Sequence, residues 1–155
     1  MDGLKRIYAR NCEVRRIERA VAEPFLQSFH RLGYTRCRHF YGLYVRRGED
    51  IPSGTLVAVA GFSAPRIWRK GNRDIRSCEW IRYASLEGIG VDGGMGKLLK
   101  AFIGDVRPDD VMSYADASWS DGDVYRRLGF TEEDAKIFPD GSKSLKFRLK
   151  LIEYE

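Results

Sequence analysis

The sequence feature that most constrains the fold is a glycine-dense turn between a strand-like run and an amphipathic helical pattern. Its residues read Val91-Asp92-Gly93-Gly94-Met95-Gly96-Lys97-Leu98-Leu99. The first backbone N–H groups of a helix have no intrahelical acceptor, and the helix dipole favours an anion beside them. Glycines also let a phosphate group approach the main chain without interference from a Cβ atom. The turn therefore predicts a phosphate-binding site at a strand-to-helix junction.

Length and composition are those of an ordinary globular chain. The 155 residues predict one domain, residues 1–155, that buries roughly 70% of the surface of its unfolded form. The hydrophobic fraction is 43% and the charged fraction 32%. The longest apolar run, residues 56–62, is too short to cross a bilayer, and residues 1–6 lack the apolar region of a secretory signal. We expect a cytoplasmic protein without a membrane span.

Cysteine and histidine spacing predicts neither a disulfide framework nor a structural metal. The three cysteines, Cys12, Cys37 and Cys78, are odd in number and far apart, which predicts reduced core or strand residues. His30 and His39 are the two histidines, and Cys37-x-His39 is a poor ligand pair. We therefore expect no metal site.

The first half of the chain alternates between strand and helix patterns. Residues 7–14 predict a strand, and apolar residues at helical spacing from Ile17 to Leu32 predict a helix. Pro24 should kink or split that helix, and Gly33 should end it. Two further runs predict an antiparallel hairpin: residues 37–45 and 55–62.

The second half continues the alternation around the glycine turn. Apolar residues at helical spacing, Met95, Leu98, Leu99, Phe102 and Ile103, predict the helix that follows the turn. The other predicted elements are a basic loop over 63–77, a strand over 79–86, a buried strand over 111–115, a helix over 121–128 capped by Ser120 or Asp121, and a last strand over 145–151. The resulting order is β-α-β-β-β-α-β-α-β, an α/β fold with antiparallel strands first and a βαβ crossover around the turn.

A second motif, Tyr125-Arg126-Arg127-Leu128-Gly129-Phe130, follows the glycine turn. Together the two motifs and the order of elements resemble the GNAT acyltransferase superfamily. The phosphate turn of that superfamily reads Gln/Arg-x-x-Gly-x-Gly/Ala, and here Gly94 and Gly96 supply its glycines while Val91 replaces the polar residue. The backbone donors do not depend on that side chain. The second motif, Tyr-x-x-x-Gly-Phe, is complete.

A narrower likeness links the chain to a phage-associated branch that includes Mom-type DNA-modifying proteins. Its residues are Glu79-Trp80-Ile81-Arg82-Tyr83, Gly93-Gly94 with Lys97-Leu98-Leu99, and Ser113-Tyr114-Ala115-Asp116 with Trp119, Gly122 and Tyr125. This likeness implies a nucleobase as the acceptor. Arg82 and Asp116 would then join the site.

The superfamily resemblance implies a single-domain GNAT-like mixed sheet that binds acetyl-CoA or another acyl-CoA. The pantetheine arm would pair with the strand that ends at Ala84, Ser85 and Leu86, and the pyrophosphate would meet the turn. The implied backbone contacts come from Gly93, Gly94, Met95, Gly96 and Lys97. The thioester would lie between residues 84–86 and residues 114–116.

The resemblance also implies that Tyr125 gives a proton to the departing coenzyme thiolate. With ordinary pKa values near 10 for tyrosine and about 8.5 for a thiol, that transfer costs roughly 2 kcal/mol. The structural alternative is a tyrosine whose ring lies in the core and whose hydroxyl reaches the surface. Gly129 and Phe130 are expected to stop the helix and to anchor the core.

The acceptor amine needs a proton acceptor, and three residues are candidates. Asp116 ends the predicted fifth strand and ranks first, and Glu79 begins the predicted fourth strand. Burial would raise the pKa of either carboxyl group. Glu79 could instead pair with Arg82, and Asp116 could cap the turn that follows. His30 needs no large pKa shift to act as a base, but it could simply lie beside the C-terminal dipole of its helix.

The net charge of +5 favours anionic partners, and residues 66–76 concentrate basic side chains around a tryptophan. Arg66, Trp68, Arg69 and Arg73 suit phosphate contact with base stacking. The alternative is a solvated connection with Trp68 folded onto the sheet edge. Two functions follow from the sequence: an acyl-CoA-dependent N-acyltransferase with direct transfer, or a phage-type nucleic-acid-associated protein that modifies a base or binds DNA without catalysis.

Overall fold

The computed structural model describes residues 5–48 and 50–154. Residues 1–6 were expected to lack a secretory signal, and residues 1–4 of that segment lie outside the described residues. The described elements, in chain order, are β1 (Lys5–Tyr8), a 3-10 helix (Ala9–Asn11), β2 (Cys12–Ile17), α1 (Arg19–Phe29), β3 (His39–Val45), β4 (Leu56–Phe62), β5 (Arg66–Lys70), β6 (Arg73–Ser85), β7 (Ile89–Asp92), α2 (Gly94–Val106), β8 (Asp110–Asp116), α3 (Asp123–Arg127), β9 (Thr131–Ile137) and β10 (Lys143–Lys150).

The described chain divides into two compact units. The first consists of residues up to 63 and residues 82–107, and the second consists of residues 64–81 and 108 onwards. Strand β6 contributes residues 73–81 to the second unit and residues 82–85 to the first. Both units combine strands with helix, so the expected α/β class is confirmed. The expectation of a single domain stays a prediction.

The first unit contains an antiparallel sheet, β2-β3-β4, and a parallel pair, β1 with β7. The expected hairpin of β3 and β4 is therefore confirmed. Helix α1 buries one apolar face against this sheet because its apolar residues recur at helical spacing. One buried cluster of the first unit consists of Ala22, Phe25, Leu26, Phe40, Val59 and Ala84.

Helix α2 begins directly after the glycine turn and packs its apolar stripe on strand side chains of the first unit. Leu98, Leu99 and Phe102 are buried, and the Phe102 ring stacks on Phe62 with centroids 3.9 Å apart. Met95 and Ile103 complete the stripe predicted from sequence, but both are only partly buried. These contacts hold the helix that follows the glycine turn against the strands of the first unit.

The second unit holds a mixed sheet in the order β5-β6-β8-β10-β9. Strand β8 runs parallel to β6 and the other pairs are antiparallel, which confirms the expected βαβ crossover. Phe147, Val111 and Ile75 are fully buried in it. Cys78 is buried in β6 and Cys12 in β2, while Cys37 precedes β3, and all three thiols are free.

Two details of α1 differ from expectation. Pro24 does not split the helix but lies inside the continuous Arg19–Phe29 segment, although its missing N–H removes one intrahelical bond. The expected kink stays a prediction. The helix ends at Phe29 rather than at Gly33. Gly33 instead has a positive φ of 73° in the turn that follows.

Strand boundaries correct several other expectations. The predicted strand over 7–14 is two strands, β1 and β2, separated by the 3-10 helix. The predicted loop over 63–77 is a hairpin of β5 and β6. Strand β6 begins at Arg73, so Glu79 lies in its middle instead of at its start. Strand β9 was not predicted, because its exposed, charged residues show no apolar alternation.

The helix predicted over 121–128 is shorter and is not capped by a side chain. Helix α3 spans Asp123–Arg127, and Gly122, with φ of 76°, takes the N-cap position. Ser120 Oγ accepts the N–H of Gly122 at 3.0 Å, and Asp121 Oδ1 accepts the N–H of Asp123 at 2.9 Å. These polar side chains therefore shape the turn before the helix instead of closing its first turn.

Candidate functional site

The glycine turn ends at a left-handed residue that starts α2. Gly93 has φ of 79° and is the N-cap of this 13-residue helix. A side chain at that φ would be strained, so glycine suits the position. The Lys97 N–H donates to Gly93 O at 3.0 Å, which is the first bond of the helix. The backbone N–H of Lys97 is thus used inside the helix, whereas it was expected to contact a phosphate.

The N–H groups of Gly94, Met95 and Gly96 precede that first helical bond. Within the described residues, no side chain caps this end and no acidic residue lies in the first turn of the helix. Asp92, the last residue of β7, pairs with Arg6 of β1 at 2.7 Å, which offsets its charge. The helix start therefore keeps the positive end of its dipole available for an anion.

Gly94 is tightly packed inside the protein. The residue is buried, and a Cβ atom there would lie 3.0 Å from Val91 Cβ and 3.2 Å from the Tyr83 hydroxyl oxygen. Burial raises the pKa of Tyr83 to about 12, so this phenol stays neutral. The close neighbours of Gly94 fix the entry of the chain into α2.

The Lys97 side chain ties the first turns of α2 to the N-terminal strands. Its Nζ donates to Ala9 O at 2.9 Å and to Cys12 O at 2.6 Å. Burial raises the pKa of the Cys12 thiol, and the nearby ammonium of Lys97 opposes this shift. Sequence reasoning missed this role because the two acceptors are backbone carbonyls, which no motif marks.

The residues expected to pair with the pantetheine arm lie at the end of β6 in the first unit. Ala84 is buried and Ser85 is the last residue of the strand. Leu86 follows it, and its N–H donates to Val57 O at 2.8 Å. Their use by a coenzyme stays a prediction.

Tyr125 belongs to α3 in the second unit. Its Oη lies 2.9 Å from Ser113 Oγ, and Ser113 Oγ lies 2.9 Å from Trp80 O. The Tyr125 ring stacks on Phe147 with centroids 5.2 Å apart and meets Trp80 and Phe130 edge-on. Burial raises the pKa of Tyr125, and the hydrogen bond from Ser113 opposes this shift. The phenol is neutral, and its ring is held by these contacts.

The end of α3 explains the rest of the second motif. Phe130 N–H donates to Tyr125 O at 2.9 Å and Gly129 N–H donates to Arg126 O at 3.0 Å, the two bonds of a Schellman motif. Gly129 has φ of 97°, and Phe130 is buried. The expected roles of Gly129 as helix stop and Phe130 as core anchor are confirmed.

The two candidate carboxylates of the second unit differ in environment. Asp116 ends β8 as expected, is exposed, and accepts the N–H of Ser118 on Oδ1 at 2.9 Å. Its side chain thus caps the turn that follows, as the structural alternative predicted. Glu79 is partly buried and raises the pKa of Tyr125 through its charge.

His30 is a poor proton acceptor. Its Nδ1 accepts the N–H of Leu32 at 2.9 Å. Burial first, then the charges of Arg82 and Arg31, lower its pKa to about 4. A base with this pKa abstracts protons weakly near neutral pH, so the structure does not favour His30 as the catalytic base. Arg82 Nε donates to Gly33 O at 2.9 Å and holds the same connection.

In the basic hairpin of β5 and β6, three of the four residues expected to bind a nucleic acid contact other residues of the protein. The Trp68 ring meets Tyr154 edge-on at 5.7 Å and Arg148 lies over its face at 5.8 Å. Arg73 donates to Glu153 O at 2.7 Å, and Arg69 pairs with Asp74 at 3.5 Å. These contacts agree with the structural alternative, in which Trp68 folds onto the sheet edge. Arg66 is exposed.

Two broader features of the site concern metals and membranes. In residues 5–48 and 50–154, no three His, Cys, Asp or Glu side chains group as metal ligands. Over the same residues, none of the helices has the length and apolar character that a membrane span requires.

Comparison with known proteins assigns the fold. No family model matches the sequence, and a search of curated proteins found no relative. Solved structures do match, and the fold they share with this chain is that of the GNAT acetyltransferases. The expected fold class is thereby confirmed at the level of architecture.

Three neighbours illustrate the match. Arabidopsis thaliana NAA60 in complex with a bisubstrate analogue has a TM-score of 0.64 at 13% identity, over 91% of this chain and 99% of that one. A GNAT-family acetyltransferase from Bacillus cereus has a TM-score of 0.56 at 10% identity, over 92% and 99%. The KacTA–DNA complex has a TM-score of 0.52 at 16% identity, over 88% and 92%.

Proposed function

We propose that this protein is an acetyl-CoA-dependent N-acetyltransferase. The observation that carries the proposal is the start of α2, where three backbone N–H groups precede the first helical bond and no acidic side chain lies in the first turn of the described helix. Such a helix start binds a diphosphate favourably. The shared GNAT fold of the neighbours, among them a bisubstrate-analogue complex of NAA60, supports the same function.

Binding is assigned to the first unit. The N–H groups of Gly94, Met95 and Gly96 would hold the diphosphate, after the left-handed Gly93, and Ala84, Ser85 and Leu86 would pair with the pantetheine amides. The Lys97 side chain would position the helix start through its bonds to Ala9 and Cys12. Acetyl-CoA would supply the acetyl group as an activated thioester.

The proton steps are assigned to named side chains. Tyr125 would donate its phenolic proton to the leaving thiolate, and Ser113 would then donate to the phenolate oxygen, 2.9 Å away. Asp116 keeps its first rank for accepting the amine proton, directly or through water, although it is exposed at the end of β8 and lacks the burial expected to strengthen it as a base. Glu79 is the second candidate. The amine nitrogen would form a C–N bond to the acetyl carbon as the C–S bond breaks, with one proton taken from the amine and one delivered to sulfur. Proton exchange with water then returns the carboxylate and Tyr125 to their starting states, so no covalent acyl-enzyme is needed.

The acceptor is an amine whose class is open. The Mom-type likeness and its nucleobase acceptor, with Arg82 at the site, stay a prediction. One structural neighbour was solved in complex with DNA, which is compatible with a nucleic-acid-associated function for this chain. Retention of DNA without any response to acetyl-CoA would favour that second function over the first.

The test is calorimetric titration of the full chain with acetyl-CoA and with desulfo-CoA. Gly94 is unsuitable for substitution because its Cβ would press on Val91. Met95→Glu places a carboxylate in the first helical turn, where it favours the helix but repels a diphosphate. We expect this variant to bind both ligands at least about tenfold more weakly, a loss of about 1.4 kcal/mol, with a melting temperature no lower than that of the matched Met95→Gln variant.

Met95→Gln is the matched control because it has nearly the same size without the charge. It should bind both ligands within about twofold of the unchanged protein, a difference well under 1 kcal/mol. Equal affinity of the Glu and Gln variants would remove the diphosphate from the α2 start. Absence of any acetyl-CoA binding would overturn the proposed function itself.

A further inference from the structure

One stretch of the chain carries its entire net charge. Residues 24–48 contain five arginines and no acidic residue, while the rest of the chain holds 22 basic and 22 acidic side chains. The five are Arg31, Arg36, Arg38, Arg46 and Arg47. The segment contains no lysine. The arginine fork binds phosphate through two parallel hydrogen bonds, which a lysine ammonium does not.

The two ends of this stretch differ in their surroundings. Arg47 lines a cavity of about 530 Å³ with Lys5, Arg6 and Asp50, and Lys5 pairs with Asp50 at 3.4 Å. The other end is the connection between α1 and β3, residues 30–38. Its Arg31, Arg36 and Arg38 are exposed. Among the described residues, no carboxylate lies within ion-pair distance of Arg36 or Arg38.

The 30–38 connection is held in place by hydrogen bonds from three neighbouring segments. Gln27 Oε1 accepts the N–H of Tyr34 at 3.0 Å, and Arg82 donates to Gly33 O at 2.9 Å. The Arg38 N–H donates to Phe62 O at 2.9 Å. A partner therefore meets a connection whose backbone is already ordered, which lowers the entropic cost of binding.

Arginine charges act on a histidine at each end of the connection. The charges of Arg82 and Arg31 add to burial in lowering the pKa of His30. Those of Arg16 and Arg38 add to burial in lowering the pKa of His39, and the charge of Asp105 opposes this shift. Leu32, between the arginines, is 58% exposed and offers an apolar contact to a sugar or base.

We propose that the 30–38 connection binds the phosphate backbone of a nucleic acid. A nucleic acid repeats its phosphate along the chain, so one molecule can contact several guanidinium groups of an ordered connection, and its sugars and bases can contact the exposed Leu32 side chain. The proposal does not rest on acetyl transfer. It also moves the nucleic-acid surface away from the β5–β6 hairpin, whose Arg69 and Arg73 are engaged within the protein.

The test measures fluorescence anisotropy of three labelled probes against the full chain over a range of salt concentrations. The probes are a DNA duplex, its single strand and an RNA hairpin, so their ranking identifies the type of nucleic acid. The variant is Arg36→Gln with Arg38→Gln. We expect at least about tenfold weaker binding and a duplex salt slope smaller by about 2, since each lost phosphate contact lowers it by roughly 0.9.

Two further variants separate the connection from general charge. Lys136→Gln with Lys143→Gln removes the same charge from exposed positions of β9 and β10 and should leave affinity within about twofold and the slope unchanged. Arg36→Lys with Arg38→Lys keeps the charge and should keep the slope. Melting temperatures of all variants control for folding.

Three results would overturn the proposal. They are no binding of any probe by the unchanged protein, equal loss in the Lys136 and Lys143 variant, and displacement of the probe by poly-glutamate at equal charge concentration. The last result would assign the surface to an acidic protein. Acetyl-CoA titration of the same variants keeps this outcome separate from the proposed function, because neither arginine belongs to the α2 start.

Discussion

Tyr125 combines a packed ring with a hydroxyl whose hydrogen bonding can change. The Ser113 hydroxyl has a single proton and two acceptors at 2.9 Å, Trp80 O and Tyr125 Oη. Donation to Trp80 O leaves the phenol its own proton, and donation to Tyr125 Oη stabilises the phenolate that remains after proton transfer. Because Ser113 is buried, water does not compete for this bond.

Tyr125→Phe keeps the ring contacts and removes the acid. We expect kcat for acetyl transfer to fall about 100-fold while the KM for acetyl-CoA stays within about twofold, because the phenol acts in the proton step. The free energy of unfolding should drop by about 1 kcal/mol for the lost hydrogen bond. Steady-state kinetics with an amine acceptor and denaturant unfolding check both. An unchanged kcat would assign Tyr125 a structural role.

At the scale of elements, apolar periodicity predicted the strands and helices that have a buried face. Strands β3, β4 and β8 and helix α2 follow that pattern. Strands β5 and β9 do not, since β5 has four exposed residues out of five and β9 five out of seven. They are strands because they pair with β6 and β10. Such pairing joins separate segments, so the local sequence of either segment does not predict it.

The two glycines that flank α3 allow a matched prediction about this short helix. Both have positive φ, 76° at Gly122 and 97° at Gly129. A Cβ at Gly122 would overlap the Phe147 ring, whereas at Gly129 it would meet only Leu149 Cδ1 at 3.7 Å. We expect Gly129→Ala to cost about 1–2 kcal/mol of unfolding free energy from backbone strain, and Gly122→Ala to cost more than about 3 kcal/mol.

Urea unfolding of both alanine variants measures the difference between strain alone and strain with a clash. The Gly129 variant is the control for the Gly122 variant, because the left-handed conformation is common to both. Similar losses at the two positions would mean that the Phe147 ring moves aside without cost.

At the scale of the whole molecule, stability depends on pH through groups kept neutral by the fold. Burial with nearby arginines lowers the pKa of His30 from 6.5 to about 4 and also lowers the pKa of His39. Above pH 6.5 neither state of His30 binds a proton. Between pH 6.5 and about 4 the unfolded chain binds a proton that the folded chain does not, so stability falls as pH falls.

His30→Asn tests this dependence. The asparagine oxygen can still accept the Leu32 N–H but does not titrate. We expect the variant to lose less unfolding free energy than the unchanged protein between pH 7 and pH 5, with His39 supplying the remaining slope. Denaturant unfolding at both pH values measures it. Equal pH slopes of the variant and the unchanged protein would show that His30 titrates normally.

The sequence by itself determined the α/β class, the antiparallel start, the crossover and the start of α2 at the glycine turn. Glycine conformation and apolar spacing act over a few residues, so these features are written locally. Only the tertiary structure decided that Lys97 bonds to Ala9 O, that Ser113 meets Tyr125, and that Arg36 and Arg38 lack a carboxylate partner within the described chain. These features depend on distances between residues that are far apart in the sequence, and only folding sets those distances.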